Sequence, residues 1–194
     1  KPNEGVGAGG THRVDGPDQL ETVFAELRQD YILEEFVEAP IVTYDGLADA
    51  DGNVVFENSL IYGEGLIEYA QGKDTFFFVS RQIPERLAAV GKALVRRFDV
   101  RRKFFHFEFF EADGDYIPIE INCRPPGGAI IDMMNYSIDG DLYRAWARML
   151  MQRPLGLPEA KKYVVAFIGR KDKPHALSHD RLVERLGDRL VESA

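Results

Sequence analysis

The sequence lacks features that mark several common protein classes. Its 194 residues include one cysteine, Cys123, which excludes an intrachain disulfide and is typical of a reducing compartment. No apolar run approaches the length of a membrane span, and no signal-peptide pattern opens the sequence. We therefore expect a cytoplasmic protein that makes no membrane contact.

The sequence also has no basic excess. Its formal net charge is -8, so the chain has no surplus of cations to neutralise a phosphate backbone. This argues against a general nucleic-acid-binding protein. It does not argue against binding a small nucleotide, which needs only a metal ion and a few local cations. The hydrophobic fraction of 45% and the charged fraction of 29% are ordinary for a globular protein.

The first eleven residues, KPNEGVGAGGT, form a glycine-rich segment. It lacks the Gly-Lys-Ser/Thr ending of a Walker loop and the helix that follows a dinucleotide fingerprint. Its glycines would let backbone N–H groups approach an anion, and Lys1 adds a positive charge. A flexible terminal linker explains the segment equally well. Because the sequence enters this loop without a preceding strand, we expect it to be missing the N-terminal part of a longer protein.

The hydrophobic pattern predicts an α+β fold in which antiparallel hairpins dominate. One hairpin signal joins strands over 41–50 and 53–61, and a second joins strands over 104–111 and 116–122. Helices are predicted over 17–29, 83–98 and 139–151, a loop over 62–74, and further strands over 12–14, 31–37, 75–79 and 163–168. Parallel β-α-β units are not evident, so helices are expected to flank an antiparallel sheet.

The second hairpin carries the residues that best fit a functional site. Residues two apart on a strand face the same side, so Glu120, Asn122 and Arg124 project together. If the hairpin pairs in register, Glu108 lies beside Glu120. Two carboxylates and an amide oxygen are ligands that Mg²⁺ accepts when it also holds phosphates, and Arg124 would contact phosphate oxygens beside it. The alternative is a solvated strand face, but the phenylalanines around Glu108 are an unusual setting for a surface charge.

Other polar residues support less specific interpretations. The segment Glu34-Glu35-Phe36-Val37 could offer backbone groups to a flat heteroaromatic base, and an ordinary acidic edge strand explains it equally well. His106 shares the face of Glu108, and we interpret it as a residue that packs or hydrogen-bonds beside a ligand. Cys123 has no neighbouring base and is interpreted as a small buried hydrophobic residue.

Taken in order, these segments resemble the ATP-grasp superfamily. The resemblance rests on Lys-Pro with the glycine loop, E-E-F-V at 34–37, F-E-F at 107–109 and I-E-I-N-x-R at 119–124, and it covers about residues 1–150. The matched part is similar to the C-terminal portion of the nucleotide-binding half of biotin carboxylase. The resemblance implies a ligase that uses ATP with Mg²⁺ or Mn²⁺ to activate a carboxylate as an acyl phosphate, which an amine then attacks.

The resemblance also implies a role for each matched residue. The residues expected to bind ATP are Lys1, Gly5, Gly7, Gly9, Gly10 and Thr11 at the phosphates, and Glu34, Glu35 and Val37 at the adenine. The expected metal ligands are Glu108, Glu120 and Asn122, and Arg124 would steady the transferring phosphoryl group. Residues 1–37 would then belong to a lid subdomain, 38–153 to the core, and 154–194 to a C-terminal strand and helix extension.

Two segments depart from the family pattern. Residues 39–42 contain no acid for a ribose contact, although many members have one just beyond the adenine hinge. In biotin carboxylase a Gln-Val-Glu-like segment follows the arginine, whereas here Pro125-Pro126-Gly127-Gly128-Ala129 follows it. This difference argues against biotin carboxylation and favours carboxylate–amine ligases that join amino acids. Gly127 and Gly128 would leave backbone N–H groups exposed for an acyl oxygen.

The expected partners are ATP, a small-molecule carboxylate and an amine, with no nucleic acid and no membrane. One alternative is a nucleotide-binding module without catalysis of its own, and another is a structural α+β domain whose acids bind nothing. The sequence does not name the substrates, and Glu64 and Glu68 could contact an amine or be solvated. The oligomeric state, including a homodimer, also stays open.

Overall fold

The computed structural model describes residues 1–3, 10–28, 30–63 and 72–193. Its strands are β1 (Ile41–Ala48), β2 (Val54–Asn58), β3 (Leu60–Tyr62), β4 (Thr75–Val79), β5 (Lys103–Ala112), β6 (Asp115–Asn122) and β7 (Val165–Gly169). Its helices are α1 (Pro17–Glu26), α2 (Glu85–Arg97), α3 (Ile130–Ile138), α4 (Leu142–Leu150) and α5 (His179–Leu186), with a 3₁₀ turn at Gly187–Arg189. Within these described ranges, no helix has both the length and the apolar character needed to cross a bilayer.

The seven strands form one antiparallel sheet, which confirms the predicted class. The order is β6-β5-β1-β3-β4-β7, and β2 also pairs with β1. Both predicted hairpins are present. Their turns contain Gly52 at φ +81 and Gly114 at φ +77, a backbone conformation that residues with a Cβ rarely adopt. The predicted strand over 53–61 is divided at Ser59 into β2 and β3, which pair with different parts of β1.

Helices pack on both faces of this sheet. On one face, Tyr44 of β1 and Phe105 of β5 pack in a buried cluster with Leu87 and Val95 of α2. On the other face, Leu47 and Phe104 pack in a second cluster with residues of α3 and α4, which are Ile130, Ile131, Met133, Met134, Ile138 and Leu142. Because side chains alternate along a strand, every second residue of β1 and β5 faces this second layer.

Helix α2 lies against the sheet at Gly91. A Cβ added at Gly91 would overlap the ring of Tyr44, which is fully buried and stacked on Phe105 with ring centroids 5.4 Å apart. We therefore expect Gly91→Ala to destabilise the protein by about 1–3 kcal/mol, because the ring has no space to move into. On an open helix face the same change would stabilise by about 1 kcal/mol.

Chemical denaturation, monitored by circular dichroism, measures the change in the free energy of unfolding that Gly91→Ala causes. The control is Ala89→Gly on the exposed side of the same helix, which should lower stability by about 1 kcal/mol through helix propensity alone. A Gly91→Ala protein that is more stable than the wild type would show that the helix–sheet contact is loose.

The strands predicted over 31–37 and 12–14 are not formed. In the described ranges, Tyr31 makes an isolated bridge to Pro2, and backbone bonds from Asn3 N to Asp30 O (2.9 Å) and from Ile32 N to Lys1 O (2.8 Å) flank it. Residues 32–36 are exposed and lie outside the sheet. Their composition favours a strand, but in the part of the chain that the structure describes no neighbouring strand pairs with them, so the prediction was wrong there.

The third predicted helix also differs from the structure. Asp139 does not begin it but ends α3, with a left-handed φ of 55. Helix α4 begins at Leu142, where the side chain of Asp141 accepts a hydrogen bond from Arg144 N at 2.9 Å. The prediction was wrong because either Asp139 or Asp141 can begin a helix, and because the apolar residues of 130–138 form a separate helix, α3, that ends at Asp139.

Candidate functional site

The central feature of the candidate site is the pairing of β5 with β6. Glu108 lies directly opposite Glu120, and His106 lies opposite Asn122. The predicted pairing of Glu108 with Glu120 is thus confirmed, and a β-bulge between Glu108 and Phe109 shifts the register there from the one next to the turn. Residues opposite one another in an antiparallel pair have Cβ atoms about 4.5–5.5 Å apart. All four side chains therefore share the face of the sheet that also carries Phe104.

The four predicted residues of this hairpin differ in exposure. Glu108 is 8% exposed, whereas Glu120 and Arg124 are exposed and Asn122 is half-buried. The guanidinium of Arg124 donates to the backbone oxygen of Pro125 at 3.0 Å. Nδ2 of Asn122 is buried and has no hydrogen-bond partner among the residues that the structure describes. One side of the set is therefore fixed in the protein interior, and the other is open to a ligand.

This arrangement fits a divalent cation that shares its ligands with phosphate oxygens. The described residues include no group of three or more His, Cys, Asp or Glu side chains that could hold a metal ion. The candidate set instead combines the carboxylates of Glu108 and Glu120 with the amide of Asn122. A bound ligand would supply the missing partner of that amide, and a 180° rotation of the amide would place Oδ1 there. Mg²⁺ characteristically takes one or two carboxylates and completes its shell with water and phosphate.

Glu108 belongs to a buried chain of hydrogen bonds, Asp45–His106–Glu108, which we call the relay. His106 Nε2 lies 3.0 Å from Glu108 Oε1, and His106 Nδ1 lies 2.6 Å from Asp45 Oδ1. Asp45 faces His106 across the β1–β5 ladder, and Thr43 faces Glu108. The interpretation of His106 as a residue that hydrogen-bonds beside a ligand agrees with these contacts. Asp45 and Thr43 are not among the residues predicted from the sequence, although two polar residues at positions i and i+2 of an apolar strand indicate a shared polar face.

The charges of the relay perturb the titration of neighbouring groups. Burial by itself lowers the pKa of His106, but hydrogen bonds to Asp45 and Glu108 outweigh it and raise this pKa to about 10. The imidazole is therefore protonated at neutral pH and lies between two carboxylates. Burial raises the pKa of Tyr62, and the charges of Glu108 and Asp45 raise it further.

Lys161 lies at the far end of the same hydrogen-bonded chain. Asn58 donates to Asp45 Oδ2 at 3.2 Å, and Lys161 Nζ donates to Asn58 Oδ1 at 2.6 Å and to Ser80 O at 2.7 Å. Burial lowers the pKa of Lys161 to about 8, although the charges of Asp45 and Glu57 oppose that effect. A cavity of about 870 Å³ opens beside Lys161. None of the predicted site residues within the described ranges lines it, so it is separate from the hairpin carboxylates.

These two perturbed groups predict how stability depends on pH. The pKa of His106 is raised from 6.5 to about 10 on folding. Its contribution to stability is therefore complete below pH 6.5 and is lost as the pH rises towards 10. Above pH 8 Lys161 acts in the opposite sense, because its folded pKa is lowered to about 8 and the unfolded chain binds the extra proton. The free energy of unfolding should thus fall between pH 6.5 and 8, by at most about 1.4 kcal/mol per pH unit.

Urea denaturation at several pH values, with EDTA present, measures this slope. His106→Gln is the control, because it removes the group whose titration causes the fall. The wild-type slope should exceed the slope of the variant. If the free energy of unfolding changes equally with pH in the wild type and in His106→Gln, the titration of His106 is not the cause of the fall.

The residues expected to bind the nucleotide lie in the N-terminal segment. Lys1 Nζ forms an ion pair of 2.7 Å with Glu34 Oε2, so the structure brings these two predicted residues together. Glu35 is exposed, and Val37 and Thr11 are half-buried. In the described ranges, no hydrogen bond or ion pair joins these side chains to the hairpin carboxylates. Gly10 has φ +72. The remaining predicted loop residues, Gly5, Gly7 and Gly9, lie outside the described ranges, as do Glu64 and Glu68.

The segment after the hairpin leads directly into α3. Gly127 and Gly128 are exposed, and Gly128 has φ +59. Pro126 is buried, and Ala129 precedes the first residue of the helix. The exposed glycine backbone fits the predicted contact with a substrate oxygen. Cys123 is half-buried beside the first core cluster, which agrees with a small packing residue.

A comparison with known protein families matches residues 1–132, more than half of the chain, to the ATP-grasp domain. The chain belongs to the ATP-grasp family. The matched stretch of this ATP-grasp chain includes both strands of the candidate hairpin and the N-terminal segment with Lys1 and Glu34. The resemblance inferred from the sequence motifs is thereby confirmed.

Two solved structures share the fold of this ATP-grasp chain. One is phosphoribosylglycinamide synthetase from Anaerococcus prevotii, with a TM-score of 0.54 and 11% identity over 68% of this chain and 35% of that one. The other is the phosphoribosylaminoimidazole carboxylase ATPase subunit from Aquifex aeolicus, with a TM-score of 0.54 and 17% identity over 69% of this chain and 39% of that one. The ATP-grasp chain thus spans little more than a third of either structure. The comparison with curated proteins finds no match.

Proposed function

We propose that this ATP-grasp chain is the nucleotide- and metal-binding part of a cytoplasmic ligase. The enzyme would use ATP to activate a carboxylate as an acyl phosphate, which an amine then attacks. The observation that carries the proposal is the pairing of Glu108 with Glu120, with Asn122 on the same face, inside the stretch that matches the ATP-grasp domain.

The metal site of this proposal consists of Glu108, Glu120 and Asn122. Mg²⁺ or Mn²⁺ bound there would neutralise charge on the nucleotide phosphates. Glu108 supplies a carboxylate that is buried and held by His106. Glu120 is exposed and can reach a ligand that arrives from solvent. The amide of Asn122 would gain the polar partner that its Nδ2 lacks in the described part of the chain.

Arg124 is proposed as the catalytic cation. It follows Asn122 by two residues and is exposed, with a hydrogen bond to a backbone oxygen and no acidic partner in the described ranges. Its guanidinium is therefore available to phosphate oxygens. In an in-line phosphoryl transfer, charge spreads over the equatorial oxygens of the transferring phosphoryl group, and the planar N–H donors of a guanidinium stabilise that charge.

The proposed reaction has two steps. A carboxylate oxygen of the substrate attacks the γ-phosphorus of ATP, the bond to the β-γ bridging oxygen breaks, and ADP leaves. The amine nitrogen then attacks the acyl carbon, inorganic phosphate leaves with the original carboxylate oxygen, and the nitrogen loses a proton. Exposed backbone N–H groups at Gly127 and Gly128 would bind the acyl oxygen during the second step. Positioning of the substrates supplies most of the rate enhancement.

The N-terminal segment completes the proposed nucleotide site. Lys1 and the loop that includes Gly10 and Thr11 would contact the phosphates, and Glu34, Glu35 and Val37 would contact the adenine. The ion pair between Lys1 and Glu34 supports the assignment of both residues to one nucleotide site. We assign residues 1–37 to the lid, 38–153 to the core and 154–194 to the extension.

Isotope transfer tests the acyl phosphate directly. The full-length protein is incubated with ATP, Mg²⁺, an amine and a panel of amino acids whose carboxylates carry ¹⁸O. We expect one ¹⁸O atom to appear in each inorganic phosphate released, because the leaving phosphate keeps the carboxylate oxygen. Mass spectrometry of the phosphate measures the transfer.

The control reaction omits the amine. In the complete reaction, release of phosphate that carries no ¹⁸O would contradict the acyl phosphate, since water would then have attacked ATP. Binding of ATP without any release of phosphate across the panel would favour the alternative of a nucleotide-binding module.

A further inference from the structure

The relay ends at one of the proposed metal ligands. Each ring nitrogen of His106 faces a carboxylate oxygen, Asp45 Oδ1 at 2.6 Å and Glu108 Oε1 at 3.0 Å. Both ring nitrogens are thus within hydrogen-bonding distance of a carboxylate oxygen, so the ring is held from both sides. The ring cannot turn without losing both bonds, so the position of Asp45 determines the position of Glu108.

Asp45 is itself held by neighbouring elements of the sheet. Its Oδ2 accepts hydrogen bonds from Thr43 Oγ1 at 2.5 Å and from Asn58 Nδ2 at 3.2 Å. Thr43 Oγ1 also accepts a hydrogen bond from the backbone of Leu60 at 2.9 Å. Asp45, Thr43 and Asn58 are all fully buried. The relay is therefore anchored in β1, at the end of β2 and at the start of β3.

The relay uses one oxygen of Glu108 and leaves the other available. Oε1 accepts from His106, and within the described ranges Oε2 has no hydrogen-bond partner. Glu108 is 8% exposed and its neighbours on β5, Phe107 and Phe109, are fully buried. A carboxylate in such a setting needs a fixed partner to keep one orientation.

We propose that His106 and Asp45 are positioning residues of the metal site, which hold the Glu108 carboxylate so that its free oxygen is directed to the divalent ion. This inference rests on the proposed function, because it takes Glu108 as a metal ligand. Partners that hydrogen-bond a metal ligand orient it, and their loss typically weakens metal binding by about 10- to 100-fold.

Stability alone is a weak explanation for the relay. Two carboxylates and an imidazole are buried together there. Replacing such a buried ionic set by packed apolar side chains is often neutral or stabilising. The relay therefore differs from the two hydrophobic clusters, whose burial stabilises the fold directly.

The test measures how strongly metal tightens ATP binding in the full-length protein. Calorimetric titrations with ATP are run with excess Mg²⁺ and with EDTA. The metal gain is the dissociation constant of ATP in EDTA divided by its dissociation constant in Mg²⁺. His106→Gln breaks the link between Asp45 and Glu108, because one amide cannot bridge both carboxylates. We expect it to lower the metal gain by about 10- to 100-fold while ATP binding in EDTA stays unchanged.

Asp45→Asn is the conservative variant. Its amide nitrogen can donate to His106 while its oxygen keeps the bonds from Thr43 and Asn58, so the connections survive. The change removes the negative charge that faces His106 Nδ1 and leaves a neutral hydrogen bond there, and charge-assisted bonds are about twice as strong as neutral ones. We expect a loss of metal gain that is measurable but smaller than that of His106→Gln.

Ser137→Ala is the matched control, since it removes another fully buried polar group, one that donates to Met134 O at 2.7 Å. Its metal gain should equal that of the wild type even if its melting temperature falls. If the metal gain of His106→Gln equals that of the wild type, the proposed positioning role of His106 and Asp45 is wrong, and the proposed function is unaffected. If His106→Gln does not fold, an unchanged metal gain in Asp45→Asn shows instead that the positioning role is wrong. A wild-type protein with no metal gain overturns both proposals.

Discussion

Glu120→Gln is expected to lower carboxylate-dependent ADP release by the full-length protein by more than about 100-fold. Glutamine keeps the size of the side chain but removes the charge that faces Glu108 across the hairpin. The loss should exceed the 10- to 100-fold typical of residues that merely orient a ligand, because Glu120 is proposed as a ligand itself. A coupled assay of ADP under saturating Mg²⁺ measures the rate.

Glu111→Gln provides the matched control. Glu111 lies on the same hairpin and is exposed, but it is on the opposite face of β5 and pairs with Tyr116. This variant should release ADP at the wild-type rate. Unchanged release by Glu120→Gln would remove Glu120 from the site, and equal losses in both variants would indicate a general disturbance of the hairpin.

Phe107→Ala is expected to lower the free energy of unfolding by about 3–5 kcal/mol. Its side chain is fully buried next to Phe105, with ring centroids 5.0 Å apart, and it lies between Tyr44 and Ile121 in the strand ladders. Removing a buried aromatic ring loses its transfer free energy and leaves a cavity, because close-packed neighbours relax only in part. Denaturant titration measures the change in midpoint and slope.

Phe98→Ala is the control for this core substitution. Phe98 follows the last residue of α2 and is 53% exposed. Its replacement should change stability by about 0.5 kcal/mol or less, as is usual at the surface. A similar loss in both variants would contradict the assignment of Phe107 to the core.

The hairpin of the candidate site could be predicted because its determinants are local. Alternation of side chains, the Asp-Gly turn and the short distance along the chain set the register next to the turn. A β-bulge between Glu108 and Phe109, which these local patterns do not predict, then shifts the register by one residue, so that Glu108 pairs with Glu120. The relay could not be predicted in this way. Asp45 and His106 are 61 residues apart, and their contact depends on β1 lying beside β5, which no local pattern specifies.

The two kinds of wrong prediction have different physical causes. The segment 31–37 has the composition of a strand, but strand formation depends on a neighbour that the sheet does not provide for it. Asp139 and Asp141 are the same residue type and therefore have the same preference for beginning a helix. The choice between them is made by the chain reversal after α3, where Asp139 adopts a left-handed conformation.

Binding of ATP to the full-length protein, titrated with and without Mg²⁺, tests the central claim most directly. If Glu108, Glu120 and Asn122 form the metal site of an ATP cleft, Mg²⁺ should tighten ATP binding in the wild type and Glu120→Gln should lose most of that gain. ATP binding that is absent, or that is equally strong in Mg²⁺ and in EDTA, would contradict it.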